Sequence, residues 1–233
     1  MLLSDLLNQT PASIVFMDCD GVIFDPNALK CDAFRVALEG YPRPEVEALV
    51  DYHRRTGGVS RYLKFEKFFR EMHPVSDEAQ AMKDALARFA HHCEVGYGRM
   101  RPRPEALAFA EVFGADRVHV VSGSDEAELR RVFERQELDH RFAGIYGSPT
   151  AKKVHLRSLL DAHNLTAKDA LFVGDGWGDW DCAKALEVPF VFLAEMSEWD
   201  DGPETVAASR GPMSQADTWH TLLDATRRAY ARA

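Results

Sequence analysis

Apolar residues fall along this chain in two rhythms, short unbroken runs and stripes spaced by three and four. The runs Ser13–Met17, Val118–Val121, Ala170–Val173 and Pro189–Leu193, with a weaker one at Gly144–Tyr146, are too short for helices and predict buried strands. Between them Ala106, Phe109, Ala110 and Phe113 recur at helical spacing and end at Gly114. Leu129, Val132 and Phe133 mark a second helix, Leu156, Leu159, Leu160 and His163 a third, and Cys182, Ala183 and Leu186 a fourth. Strands alternating with helices predict an α/β fold, a doubly wound parallel sheet covered by helices on both faces.

One stretch breaks the alternation. From about Pro26 to Tyr97 the stripes are purely helical: Phe34, Ala37, Leu38 and Tyr41; then Val46, Leu49, Val50 and His53; then Phe65, Phe68, Phe69 and Met72; then Met82, Ala85, Leu86 and Phe89. Four amphipathic helices without strands predict a small bundle. The expected organisation is therefore a core of residues 1–24 and 98–233, with a helical domain, 25–97, inserted after the first strand and seated above the carboxyl edge of the sheet. The tail after Ala194, with Trp199 and Trp219, is expected to be a last turn and a helix packed on the core.

Composition narrows the function classes. The 233 residues are 46% apolar and 28% charged, ordinary for a globular chain with a sizeable core. The net charge of -9 argues against nucleic acid or an anionic membrane as partner, though a small anionic ligand is compatible with a local field of opposite sign. Cys19, Cys31, Cys93 and Cys182 form no CxxC pair, which argues against structural zinc and suits a reducing cytoplasm. The start, MLLSDLLNQTPAS, lacks a basic region and carries Asp5 within its apolar stretch, so it does not read as a signal peptide. No run of about 18 apolar residues predicts a membrane span.

The polar residues just beyond the predicted strands carry the chemistry. The first strand ends in Asp18-Cys19-Asp20-Gly21, and ligands of parallel sheets bind at the carboxyl ends of strands. Two neighbouring carboxylates there need a cation or a shared proton, although Asp and Gly also end strands as plain turn residues. The second strand ends in Ser122-Gly123, able to offer a hydroxyl and backbone N–H groups to a phosphate, or to form an ordinary loop. After the third, Lys152 and Lys153 open a helix, a poor place for a cation unless something anionic lies near. The fourth ends in Gly174-Asp175-Gly176-Trp177-Gly178-Asp179. Asp18, Asp20, Asp175 and Asp179 thus converge on one sheet edge, and that many hard oxygen ligands suit Mg²⁺.

These motifs, in this order and with a helical insert after the first, resemble the haloacid dehalogenase superfamily, in its phosphoglycolate phosphatase-like and β-phosphoglucomutase-like branch. The resemblance implies a Rossmannoid core with a helical cap. It implies that Asp18 is a nucleophile forming an aspartyl-phosphate, with Asp20 as acid and then base. It implies Mg²⁺ on the Asp18 carboxylate, the Asp20 backbone carbonyl and Asp175, supported by Asp179. Ser122 and the Gly123 N–H would hold phosphate. Lys152 fits the family's spacing best for the phosphate-pairing lysine, with Lys153 as the alternate. Cys19 is expected to turn away from the aspartates. Burial and a second carboxylate are expected to raise the Asp20 pKa and suit it to donate a proton. An acid at position 20 favours phosphate esters over carbon–halogen or carbon–phosphorus bonds, because an alkoxide leaving group needs a proton.

The segment His53–Lys64, with Gly57 and Gly58 among basic residues, reads either as a mobile cationic loop that closes over substrate or as a solvated turn. On the first reading Arg55, Ser60, Arg61 and Lys64 contact the substrate, and Arg55 and Arg61 grip a carboxylate or second phosphate. The expected function is Mg²⁺-dependent hydrolysis of a small phosphorylated metabolite by a monomer or homodimer. A phosphomutase shares every motif, and a silent phosphate-binding module is the reading from outside enzymology.

Overall fold

The structure, a computed structural model, describes residues 1–230. A six-stranded sheet in the order β3-β2-β1-β4-β5-β6 is parallel throughout. Its strands are β1 (Ile14–Met17), β2 (Val118–Asp125), β3 (Gly144–Ser148), β4 (Ala170–Gly174), β5 (Phe190–Leu193) and β6 (Met213–Ala216). The expected doubly wound α/β fold is present, with one strand more than the apolar runs predict. β6 reads Met-Ser-Gln-Ala and has no apolar run; it sits at the sheet edge beside β5, where only one neighbour needs satisfying.

Alternation along each strand builds two cores. Val15 and Met17, Leu171 and Val173, and Val191 and Leu193 face one side. Ile14 and Phe16, Ala170 and Phe172, and Phe190 and Phe192 face the other. The first side is covered by α1 (Leu3–Gln9), α6 (Pro104–Phe113), α7 (Glu126–Arg135) and α11 (Trp219–Tyr230). The second is covered by α8 (Lys152–Ala162), α9 (Trp177–Leu186) and α10 (Gly202–Ala208). Every residue of β1, β4 and β5 is buried, which is why these strands read as continuous apolar runs. No described helix is long and apolar enough to cross a membrane.

Between β1 and β2 the chain makes α2 (Asn27–Ala37), α3 (Arg43–Arg55), α4 (Arg61–Lys67) and α5 (Glu78–Tyr97). The stripe ending at Met72 is interrupted: α4 stops at Lys67 and Phe68–Met72 form a π turn, with His73 N–H donating to Phe68 O. The extra residue lets both Phe68 and Phe69 stay buried against Tyr41. The loop between α3 and α4 is only Thr56–Ser60, shorter than the basic composition suggests, so Arg61 and Lys64 stand on a helix.

The tail is more than a turn and a helix. It supplies α10, β6 and α11, and it braces the site from behind: Trp219 Nε1 donates to Val22 O at 3.0 Å, and Ser197 Oγ donates to Asp175 O at 2.6 Å.

Candidate active site

β1 delivers Asp18 to the carboxyl edge, where its N–H is held by Val173 O at 2.9 Å. The chain then folds back on itself, with Ile23 N–H and Phe24 N–H both donating to Cys19 O. Gly21 makes the turn at φ +79°, and a Cβ there would lie 1.9 Å from Asp175 Oδ2. Only glycine permits both the backbone conformation and the approach of Asp175. Cys19 is fully buried in the apolar core behind the aspartates, as expected.

Asp18, Asp175 and Asp179 each place one carboxylate oxygen within 4.8 Å of the others. Lys152, the first residue of α8, reaches into this group. Its ammonium lies 2.8 Å from Asp18 Oδ1 and also bonds Asp179 Oδ1. Lys153 points outward to Asp181 at 2.7 Å and plays no part. Asp18 Oδ1 also accepts the Cys19 N–H at 2.8 Å, so the same oxygen takes the backbone hydrogen bond and the lysine ion pair. One lysine cannot balance three buried carboxylates. Burial, then Asp179, push the Asp18 pKa up to about 7 despite Lys152, and burial, then Asp18, raise that of Asp175 well above the carboxylate range. A compact, all-oxygen, electron-rich donor set of this kind fits a hard divalent cation such as Mg²⁺.

Asp20 lies outside that trio and has other partners. Its carboxylate bonds Lys30 of α2 and the Tyr97 hydroxyl at the end of α5, accepts from Ser124 Oγ at 2.8 Å, and has Ser122 Oγ at 3.4 Å. Burial works to raise its pKa, but the Lys30 charge and the hydrogen bonds from Lys30, Tyr97 and Ser124 outweigh it, and the net shift is downward. The expected upward shift is thus reversed, because the insert brings a cation to Asp20. Neither Lys30 nor Tyr97 is singled out by the sequence motifs. A trace of both is visible in the stripes: Lys30 precedes Phe34 by four, and Phe89, Cys93 and Tyr97 are successive fours.

Ser122 is buried, and its Oγ accepts the Ser124 N–H at 3.1 Å. Gly123 carries the insert at van der Waals distance: a Cβ on it would stand 2.4 Å from Gly58 O. Gly176 and Gly178 are pressed by the same loop, and Gly178 N–H donates to Gly57 O at 2.8 Å. The two glycines of the α3–α4 loop therefore close directly onto the end of β2 and the turn after β4. Gly123→Ala keeps the N–H but forces this loop to lift. Its expected result is a fall in kcat/KM of roughly 100-fold, from misplacement of the closing loop, with little change in melting temperature. Steady-state kinetics beside a thermal melt checks it, and unchanged kinetics would show the contact to be idle.

The insert residues expected to meet substrate divide sharply. Arg55 is exposed and lies outside the cleft, whereas its neighbour Arg54 lines it. Ser60 caps α4, accepting Tyr62 N–H at 3.3 Å, and does not line the cleft. Arg61 lines it but is already engaged, in a two-pronged pair with Glu128 of α7 at 2.6 Å on each arm, and it stacks over Phe89. A grip on a substrate anion is therefore not its arrangement here. With Tyr62 donating to Asp125 Oδ2 at 2.8 Å, Arg61 ties the insert to the core. Lys64 does line the cleft and is 1% exposed. The cleft, about 660 Å³ including its mouth, has Asp18, Asp20, Ser124 and Asp175 on the core side and Lys30, His53, Arg54 and Lys64 on the insert side.

The haloacid dehalogenase-like hydrolases match this chain over residues 12–186. The chain belongs to that family. As a haloacid dehalogenase-like hydrolase it has solved structures of the same fold at low identity. One is described as a predicted phosphoglycolate phosphatase from Haemophilus somnus 129pt, 17% identical, covering 93% of this chain and 99% of that one at TM-score 0.71. A predicted phosphatase from Clostridium acetobutylicum is 15% identical over 91% and 97%, also at 0.71. A hydrolase from Pseudomonas syringae is 18% identical over 91% and 96%, again at 0.71. No curated protein sequence is significantly similar.

Proposed function

We propose that this hydrolase is a Mg²⁺-dependent phosphatase that cleaves a small organic phosphate monoester through an aspartyl-phosphate on Asp18. The observation that carries the proposal is the clustering of Asp18, Asp175 and Asp179 with Lys152 at the sheet edge, beneath an insert that touches Gly123 and Gly176. In this reading residues 25–97 act as the cap and 1–24 with 98–233 as the catalytic core. The phosphatase names of structures sharing the fold agree with it.

Asp18, Asp175 and Asp179 would hold the cation, with the Asp20 backbone carbonyl as a further ligand. The cation would supply charge neutralisation on the phosphoryl oxygens. The rest falls to the chain. The Asp18 carboxylate attacks phosphorus in line with the ester oxygen; the P–O ester bond breaks and the departing oxygen takes a proton from Asp20. Asp20 then removes a proton from water, whose oxygen attacks the aspartyl-phosphate, and inorganic phosphate leaves with Asp18 restored. Lys152, Ser122 and the Gly123 N–H stabilise the equatorial oxygens. The resting site keeps Asp20 as a carboxylate through Lys30 and Ser124. When a substrate phosphate competes for those two donors the Asp20 pKa rises, Asp20 takes up a proton from solvent, and that proton is the one it passes to the departing oxygen.

Release of inorganic phosphate from an aryl phosphate is the direct test. Turnover with Mg²⁺ that disappears in chelator and returns on adding the metal is expected. Equal rates in both conditions, or no release from any phosphorylated metabolite in a broad panel, would remove the proposal. A phosphomutase would return the group to a second hydroxyl instead of releasing it.

A further inference from the structure

Four cations face the cleft from the insert, and three have an acidic partner. Lys30 pairs with Asp20, Arg61 with Glu128, and Arg54 with Glu198 at 3.6 Å. Lys64 has none: among the described residues no carboxylate comes within 4.0 Å of its ammonium, and its one side-chain hydrogen bond goes to His53 Nδ1 at 2.7 Å. It is the most deeply buried of the four, 1% exposed, yet its side chain turns inward to the cleft instead of reaching for solvent as lysine stems usually do.

The Lys64 nitrogen has donor capacity left beyond its one side-chain contact, to His53. The His53 ring cannot supply a countercharge. Burial together with Lys64 pushes its pKa well below the ordinary histidine value, which keeps the ring beside the Lys64 nitrogen neutral. Burial, then Lys30, likewise lower the Lys64 pKa well below the lysine range. Phe34 and Phe89 line the same roof and exclude water, which strengthens any ionic contact made there. A structural filler at position 64 would be apolar, since the helix face it extends continues through Phe68. The site therefore holds a buried lysine nitrogen with unused hydrogen-bonding capacity, facing the chamber whose floor carries the phosphoryl machinery, with no carboxylate within 4.0 Å among the described residues; the acids that share the cleft, Asp20 and Glu198, pair with Lys30 and Arg54, and an anion docking at Lys64 would favour its protonated form.

We propose that the alcohol half of the substrate carries a second anionic group, a carboxylate or another phosphate, which docks on Lys64 at the cap side of the cleft. The inference rests on the phosphatase reading and sharpens it. The substrate spans the chamber, with its phosphoryl group at Asp18 and its second anion at Lys64. Neutral phosphate esters of the same length lose the second contact.

Three esters decide it: phosphoglycolate, with a carboxylate; ethylene glycol bisphosphate, with a second phosphate; and 2-hydroxyethyl phosphate, a neutral match to the first. The native protein is expected to prefer at least one anionic ester by roughly 10- to 100-fold in kcat/KM, the effect of a charge-assisted hydrogen bond in a dry site. The better of the two names the anion. In Lys64→Met the preference should collapse to within about threefold, mainly through KM, while Lys64→Arg keeps part of it. Because each ratio is taken within one protein, a general loss of folded enzyme does not move it. Equal rates on all three esters in the native protein overturn the inference even if Lys64→Met fails to fold, and so does a preference that survives Lys64→Met. Failure to release phosphate from any ester, aryl phosphate included, brings down the phosphatase reading itself and this inference with it.

Discussion

Asp18→Asn is expected to abolish turnover, with kcat lowered by at least roughly 10⁴-fold, while the protein folds as well as before or better. The amide has the shape of the carboxylate and can still accept the Cys19 N–H through its oxygen. It lacks the charge and lone-pair basicity needed to attack phosphorus. The stability half of the prediction comes from the crowding around Asp18, where burial and Asp179 already push the pKa up to about 7. Removing that charge relieves repulsion with Asp175 and Asp179. Lys152 keeps its second partner, Asp179, so no buried ammonium is stranded. Phosphate release at saturating substrate and Mg²⁺, beside a thermal melt, measures both halves. Activity within tenfold of the native protein would exclude Asp18 as nucleophile. A large drop in melting temperature with the loss of activity would leave its role structural.

The placement of these aspartates is the part of the site most legible in the sequence. Strands buried on both faces announce themselves as apolar runs, and the residues just after each run must sit on the same edge of a parallel sheet. Asp18, Ser122, Lys152, Asp175 and Asp179 could therefore be brought together from order alone. β6 could not, because an edge strand of Met-Ser-Gln-Ala carries no apolar run. The insert was legible as helices but not as a surface. Its stripes show which residues pack, whereas the cleft is lined where stripes meet, and the partners that decide each cation's role are far away in sequence. Arg61 looks like a free cation until Glu128, 67 residues on, is seen to hold it. Asp20 looks like a protonated acid until Lys30 and Tyr97, on two different helices, are seen around it. Lys64 shows the converse: on paper one basic residue among many, in the structure the one of the four cleft cations with no acid within 4.0 Å among the described residues. Each of these outcomes is a tertiary electrostatic fact, and net charge or local composition carries no trace of it.

Asp175→Asn should separate stability from function most clearly, because its two effects have opposite sign. In the metal-free protein burial, followed by Asp18 and Asp179, raises the Asp175 pKa, and that of Asp18 reaches about 7. An acid whose folded pKa exceeds its unfolded value binds protons more tightly when folded. Its contribution to stability is therefore lost as pH rises through the folded pKa. Asp20 is shifted the other way, but what it contributes is complete above the ordinary aspartate pKa and stays constant near neutrality. Buried His53 and His119, both with lowered pKa values, favour the folded state as pH rises, but only up to about 6.5, the unperturbed histidine value. Between about pH 6.5 and 8 the acids near Asp18 make stability fall with pH, while buried Lys64, its pKa lowered, works in the opposite direction; Lys64 is the same in native protein and variant, so the difference between the two isolates Asp175. Asp175→Asn should remove the Asp175 part of that fall, so that the metal-free variant gains on the native protein between pH 6.5 and 8 and melts higher than it at pH 8, by on the order of 1–3 kcal/mol in stability. Added Mg²⁺ should stabilise the native protein at pH 8 and leave the variant nearly unmoved, since a neutral amide is a poorer ligand for a hard cation. Turnover should fall at least roughly 100-fold in the variant. Differential scanning calorimetry in chelator and in Mg²⁺, at both pH values, resolves every part. A variant that melts lower than the native protein in chelator at pH 8, or that is stabilised by Mg²⁺ as strongly, would mean that the carboxylates are not crowded for the sake of a cation.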